Sequence, residues 1–346
     1  MRNILFFDST LRDGSHAVEQ QLYSDQIEKY CSLIDGSGLY TVIVGHGNGL
    51  GASSIQMGRS AMPELDMLAV AQRNLDKTRL GTFVTVGFGT IDDHIVPAIE
   101  RGVQLFCIAC HATESDIMKK HIEYLSKRGK EVYGVLMNCH LTNKESLLIQ
   151  AKNIEEYGAD GVVLMDSAGT LTPSMVEDIV GFLVSGVDIR IGFHAHNNLS
   201  MAVANAYAAL HAGATIIDGT VLGFGAGAGN CQLEAIVALL EKEGEETGVN
   251  LYQIMDAGDY VIRKMLGYEK GIDSISVISG YAGVVSTFKP RVIYISNKYG
   301  VDPRDVFIEL GKRKAISGQD DLILEVAKMI KKERGGLQYG NKWTEI

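Results

Sequence analysis

Residues 4–16 read Ile4-Leu5-Phe6-Phe7-Asp8-Ser9-Thr10-Leu11-Arg12-Asp13-Gly14-Ser15-His16. An apolar run of strand type, Ile4 to Phe7, passes directly into a guanidinium, a carboxylate and an imidazole. A strand that ends in reactive side chains is the unit a parallel barrel repeats, because such a barrel places its chemistry at strand C-terminal ends. The same unit recurs far along the chain, where Ile189-Arg190-Ile191-Gly192-Phe193 runs into His194-Ala195-His196-Asn197-Asn198. Side chains on a strand alternate faces, so His194 and His196 point one way and Ala195 the other. Asp13, His194 and His196 then supply one carboxylate and two imidazoles. That set leaves coordination positions open, as a catalytic divalent-metal site does.

Between and beyond these two segments, short β-branched runs alternate with amphipathic stretches. The strand candidates are Ile4 to Phe7, Tyr40 to Val44, Leu80 to Val84, Leu105 to Ala109, Val132 to Met137, Gly161 to Met165, Arg190 to Phe193 and Thr215 to Asp218. Helical spacing marks Ser24 to Ile34, Pro63 to Gln72, Glu114 to Lys127, Lys144 to Tyr157, Pro173 to Leu183 and Met201 to Leu210. Ser24-Asp25, Thr142-Asn143 and Thr172-Pro173 carry start signals, and Gly129, Gly158 and Gly213 carry stops. The expected fold is α/β, a (β/α)8 TIM barrel, with a doubly wound open sheet as the alternative. After Gly248 the alternation ends. Residues 249–334 read as a helical subdomain built from Leu251 to Leu266, Val284 to Lys298, Pro303 to Leu310 and Leu322 to Lys331. Ile278 to Gly283 and Ala315 to Gln319 read as connectors. The division is a catalytic barrel over 1–248, the helical domain over 249–334 and a frayed polar tail over 335–346.

A chain of 346 residues with 46% hydrophobic and 21% charged residues buries a core without staples. Its formal charge of −10 argues against a nucleic-acid partner. No apolar run reaches the length of a membrane span, and Met1-Arg2-Asn3 leads into a strand rather than a signal peptide. Cys31, Cys107, Cys110, Cys139 and Cys231 are odd in number and dispersed, unlike a disulfide framework. Cys107 and Cys110 form a C-x-x-C, but residues three apart on a strand face opposite sides, so buried small hydrophobes are expected. A cytoplasmic enzyme is the expectation.

Alone, Asp13 reads as a turn residue and either histidine as a satisfied core group; their joint placement at strand ends carries the metal reading. Arg12 is always charged and presents a fork suited to a carboxylate or enolate. His16 titrates near neutrality and is placed to act as general base. The run Gly223-Phe224-Gly225-Ala226-Gly227-Ala228-Gly229-Asn230 fits neither a Walker loop nor G-x-G-x-x-G, and reads as tight turning near the substrate. His46, His111 and His140 at other strand ends read as pocket or scaffold groups. Asp166 reads as a partner that orients a ligand or Ser167.

With these residues in place the chain resembles the 4-hydroxy-2-oxovalerate (4-hydroxy-2-oxoacid) aldolases, members of a metal-dependent lyase and synthase superfamily. The likeness runs through Thr10 to His16, Gly45 to Leu50, Met165 to Gly169, His194 to Ser200, Gly223 to Asn230, Gly280 to Gly283 and Glu309 to Arg313. It implies a divalent metal, usually Mn2+ with Mg2+ or Co2+ as alternatives, on Asp13, His194 and His196. It also implies retro-aldol cleavage to pyruvate and a short aldehyde, with Arg12 holding enolate charge, His16 taking the C4 hydroxyl proton, and Ser167 and His194 contacting substrate. A further implication is a partner, an acylating acetaldehyde dehydrogenase in a hetero-oligomer, which takes the aldehyde by channelling and docks on the helical domain.

One position departs from the resemblance. The family usually reads Gly-Tyr-Ala-Gly-Val-Tyr, and here Gly280-Tyr281-Ala282-Gly283-Val284-Val285 ends in a side chain that cannot donate a proton. Water or Tyr281 replaces the lost hydroxyl, or the substrate and stereochemical preference have changed. A Claisen-type condensing enzyme on the same metal, and a weakly catalytic subunit that stabilises a dehydrogenase, are the alternative functions.

Overall fold

The computed structural model of the chain describes residues 4–266, 274–316 and 318–334. Eight parallel strands close into a barrel in sequence order: β1 Leu5–Asp8, β2 Thr41–Ile43, β3 Arg79–Thr85, β4 Leu105–His111, β5 Glu131–Met137, β6 Gly161–Asp166, β7 Arg190–Ala195 and β8 Ile216–Gly219. Closure is made by β8 on β1, with Leu5 opposite Ile216 and Asp8 opposite Gly219. Every expected strand is present, and the open sheet is excluded by that last pairing.

The strands read as continuous apolar runs because both of their faces are covered. Leu5, Phe7, Ile43, Leu105, Tyr133, Val163 and Ile216 fill the barrel interior. Their neighbours Phe6, Val42, Phe106, Val132, Val162 and Ile217 pack outward against the helices. Cys107 lies in the inner cluster and Cys110 in the outer, and all five cysteines are buried and free. Of the start signals, Asn143 Oδ1 accepts the Ser146 N–H at 2.8 Å and Pro173 opens its helix, whereas Ser24 is a first-turn residue behind Tyr23; Gly129, Gly158 and Gly213 take positive φ.

Beyond the barrel, the helix Leu251–Tyr260 sends Ile254 and Ala257 into the barrel's own outer cluster. A separate apolar cluster begins at Ile275 and is built by the helices Ser274–Ala282, Lys289–Tyr299, Pro303–Lys312 and Asp320–Arg334. The connector expected over Ile278 to Gly283 is instead the end of the helix Ser274–Ala282. Its Gly280 is what misleads: a Cβ there would lie 2.6 Å from Asn198 Cβ, so the glycine marks a close approach of helix to barrel rather than a turn. Asn198 fastens this contact, with Nδ2 donating to Ser276 O, Ser279 Oγ and Ser286 Oγ at 3.2, 2.8 and 2.9 Å. The tail expected over 335–346 lies outside the described residues. Among the described residues no helix is long and apolar enough to cross a membrane.

Candidate active site

The end of β1 and the end of β7 meet at the barrel mouth because β8, between them, is short and pairs with both. Potential ligand atoms of Asp13, His194 and His196 lie within 4.8 Å of one another, and all three residues are buried. His194 and His196 share a face, while Ala195 packs into the outer cluster. Burial would raise the Asp13 pKa, but Arg12 and the histidines hold it well below the usual carboxylate range. Burial pushes His196 down to about 4, so its ring is neutral near pH 7 and keeps a lone pair. An ionised carboxylate beside two imidazoles, with the buried Nδ1 of His196 unpartnered among the described residues, is a donor set that fits a divalent cation.

Two residues that sequence reasoning did not assign complete the set. Asp218, on β8, places Oδ2 3.0 Å from His194 Nδ1 and accepts the Ser9 hydroxyl on Oδ1 at 2.7 Å. Nδ1 has no hydrogen bond among the described residues, so Asp218 sets a carboxylate beside the ring and leaves Nε2 on its other side. Asn230 lies with Nδ2 2.8 Å from that Nε2. The glycine run before it allows the approach: a Cβ at Gly225 would strike Asn230 Oδ1 and Asp13 Oδ2, and the Ala226 N–H donates to Asp13 Oδ2 at 3.1 Å. Asp166, expected to orient a ligand or Ser167, instead accepts the Thr170 and Leu171 N–H groups and ties down the loop after β6.

Arg12 is only 3% exposed. Its Nη1 donates to Asp13 Oδ1 at 2.8 Å and to Gly47 O at 3.3 Å, and its guanidinium carbon lies 4.4 Å from the Phe83 ring centroid. Nε and Nη2 have no hydrogen-bond partner among the described residues. Two idle donors on a buried cation are costly unless an anion takes them, so they mark where a substrate oxygen binds. His16 lines the same cavity. Gln20 Oε1 accepts the Gly47 N–H at 2.9 Å, which fixes its amide, and Nε2 lies 3.2 Å from His16 Nδ1. The amide therefore donates to Nδ1 and favours the neutral ring with its proton on Nε2.

Ser167 lines the cavity and its Oγ accepts the Asn138 N–H at 2.9 Å, leaving its O–H to donate. Tyr281, expected at the substrate, is 72% exposed and lies outside the cavity lining. The helical phase explains the correction: on the helix Ser274–Ala282, Gly280 faces the barrel and Tyr281 turns to solvent. Val285, 7% exposed, is the residue that faces the cavity. His111 also lines it, whereas His46 and His140 are scaffold groups, donating or accepting at Gly58 O, the Asn48 N–H and Gly283 O.

The HMGL-like family model matches residues 3–261 and the DmpG-like communication domain matches residues 270–332. The chain is 48% identical to a 4-hydroxy-2-oxovalerate aldolase of Spirochaeta aurantia, covering 95% of this chain and 96% of that one. It is 45% identical to the enzyme of that name from Pectobacterium atrosepticum, covering 96% of each. Among solved structures, the N-terminal domain of a putative aldolase from Bacteroides vulgatus superposes with a TM-score of 0.70 at 22% identity, covering 82% of this chain and 94% of that one. The carboxyl transferase domain of Rhizobium etli pyruvate carboxylase with pyruvate and biocytin gives 0.79 at 16%, covering 96% and 61%. These last two establish the barrel. With near-full-length identity above 40% and both family models in register, the chain belongs to the HMGL-like family, among the 4-hydroxy-2-oxovalerate aldolases.

Proposed function

We propose that this chain is a cytoplasmic, divalent-metal-dependent carbon–carbon lyase that cleaves 4-hydroxy-2-oxovalerate or a close 4-hydroxy-2-oxoacid to pyruvate and an aldehyde. The observation that carries the reading is Arg12, a buried cation with two idle donors beside the Asp13, His194 and His196 set. When bound there, a divalent cation, Mn2+ on this reading, supplies Lewis-acid polarisation to the 2-oxo acid. Cleavage breaks the C3–C4 bond. The C4 hydroxyl gives up its proton, C4 becomes the aldehyde carbonyl, and the bonding pair passes to C3 and the C2 oxygen as pyruvate enolate. Arg12 Nε and Nη2 donate to that developing negative oxygen. Ser167 donates to the oxo acid, and Asp218 holds His194 in register. His16 is the proton-transfer residue at the C4 oxygen: it accepts that proton on Nε2 in the tautomer protonated at Nδ1, which requires the Gln20 amide to release Nδ1. Protonation of the enolate at C3 completes pyruvate.

The five buried free cysteines support a reducing compartment. The match to a communication domain over 270–332 supports docking of an acylating aldehyde dehydrogenase that consumes the aldehyde. The test is pyruvate release from 4-hydroxy-2-oxovalerate by the purified chain, with Mn2+ and after chelation. Metal-restored release is expected; no release with any divalent metal refutes the reading.

A further inference from the structure

Strand order divides the barrel mouth into two sectors. The reactive groups Arg12, Asp13, His16 and His196 stand at the ends of β1 and β7, on either side of β8. Across the mouth stand the ends of β3, β4 and β5, and their character differs. The cavity there is walled by Val86 and Phe88 after β3, Ile117 after β4 and Met137 at the end of β5, with Val285 and Ile316 from the helical region. Thr85 at the end of β3, His111 and Glu114 at the β4 end and Asn138 after β5 are the polar groups of this sector, with Ser286 and Thr287 beside Val285. Phe88 and Ile117, both lining the cavity, are 38% and 43% exposed. The cavity measures about 360 Å³, a size that encloses ligands well beyond five carbons.

Building on the aldolase reading, we infer that the apolar sector is a binding site for an alkyl chain on C4, and that the preferred substrates are 4-hydroxy-2-oxoacids longer than the valerate. The orientation follows from the chemistry. The oxo-acid end is drawn to Arg12 and the metal-ligand set, and the C4 substituent lies at the other end of the molecule, directed across the mouth. Val285 offers this chain contact area and no hydrogen bond, and the exposed faces of Phe88 and Ile117 lose water when it binds. Each methylene buried there is worth about fourfold in kcat/KM.

The experiment is a series of racemic 4-hydroxy-2-oxoacids carrying methyl, ethyl, propyl, butyl and pentyl groups at C4, assayed for pyruvate with Mn2+. The expected result is kcat/KM rising about fourfold per methylene from methyl to at least propyl, with the gain lost when the chain ends in a carboxylate. Val285→Phe and Ile117→Trp narrow the sector from opposite walls, and each should cut the butyl-to-methyl ratio tenfold or more. Both variants are checked for native thermal unfolding, and Ile117, being partly exposed, tolerates the larger ring. Highest efficiency with methyl, falling at every added carbon, overturns the inference while leaving the aldolase reading standing. An unchanged length profile in both folded variants overturns it in the same way. No pyruvate from any member overturns both.

Discussion

Arg12 cannot be replaced by charge alone. Its Nη1 is already committed to Asp13 and Gly47, so the reaction depends on the remaining arm of a planar fork. Arg12→Ala should lower kcat by about 10² to 10³, the cost of an oxyanion donor. Arg12→Lys should recover little of it, because one ammonium cannot hold Asp13 and serve a substrate oxygen together. His16→Ala should cost roughly 10² to 10⁴ and remove the corresponding limb of the pH–rate profile. Gln20 gives a finer test. The amide donates to Nδ1, whereas a carboxylate would accept from it and leave Nε2 basic, so Gln20→Glu should move the acidic limb of kcat/KM upward by about one pH unit. A limb that stays in place means that His16 does not transfer the proton.

At the level of elements, the end of β1 has a buried acid outside the site. Burial raises Asp8 to about 6 from 3.8, against the hydrogen bonds from Thr10 and Tyr30. The folded state therefore holds this proton more tightly than the unfolded chain, and stability falls as pH rises from about 4 to about 6, by roughly 3 kcal/mol. Asp8→Asn keeps an acceptor for Thr10 and should flatten that slope, seen as a smaller change in the urea midpoint between pH 4 and pH 7. Asn198 holds the helical region to the loop after β7, and Asn198→Ala should cost roughly 2–3 kcal/mol by leaving its serine partners unsatisfied. It should also raise KM more than it lowers kcat, because Val285 and Ser286 lose their seat over the cavity. Strands were readable because burial on both faces leaves uninterrupted apolar runs, and the Asp13, His194 and His196 set because each ligand follows such a run. Asp218 and Asn230 were not, since their roles exist only through adjacency across β7 and β8. Tyr281 was put at the substrate only as a stand-in for the hydroxyl that Val285 lacks, and the helix Ser274–Ala282, whose Gly280 faces the barrel, turns it to solvent.

For the whole molecule, the cation and the barrel are expected to depend on each other. A cation held by Asp13 and the two histidines binds the folded chain and not the unfolded one, so chelation should abolish activity and also lower the thermal midpoint, both reversed by Mn2+. Loss of activity with an unmoved midpoint would place the metal elsewhere. The Ala226 to Asp13 hydrogen bond joins positions 213 apart in sequence. That separation has a meaning for a chain still being made. A ribosome delivers Asp13 early, but the two imidazoles emerge only with the seventh strand and the loop that closes behind them only after the eighth. No fragment of the nascent chain can therefore capture the ion, and a protein truncated before β7 should bind none. In the cell, metal uptake records that synthesis has passed the point at which the first strand finds the eighth.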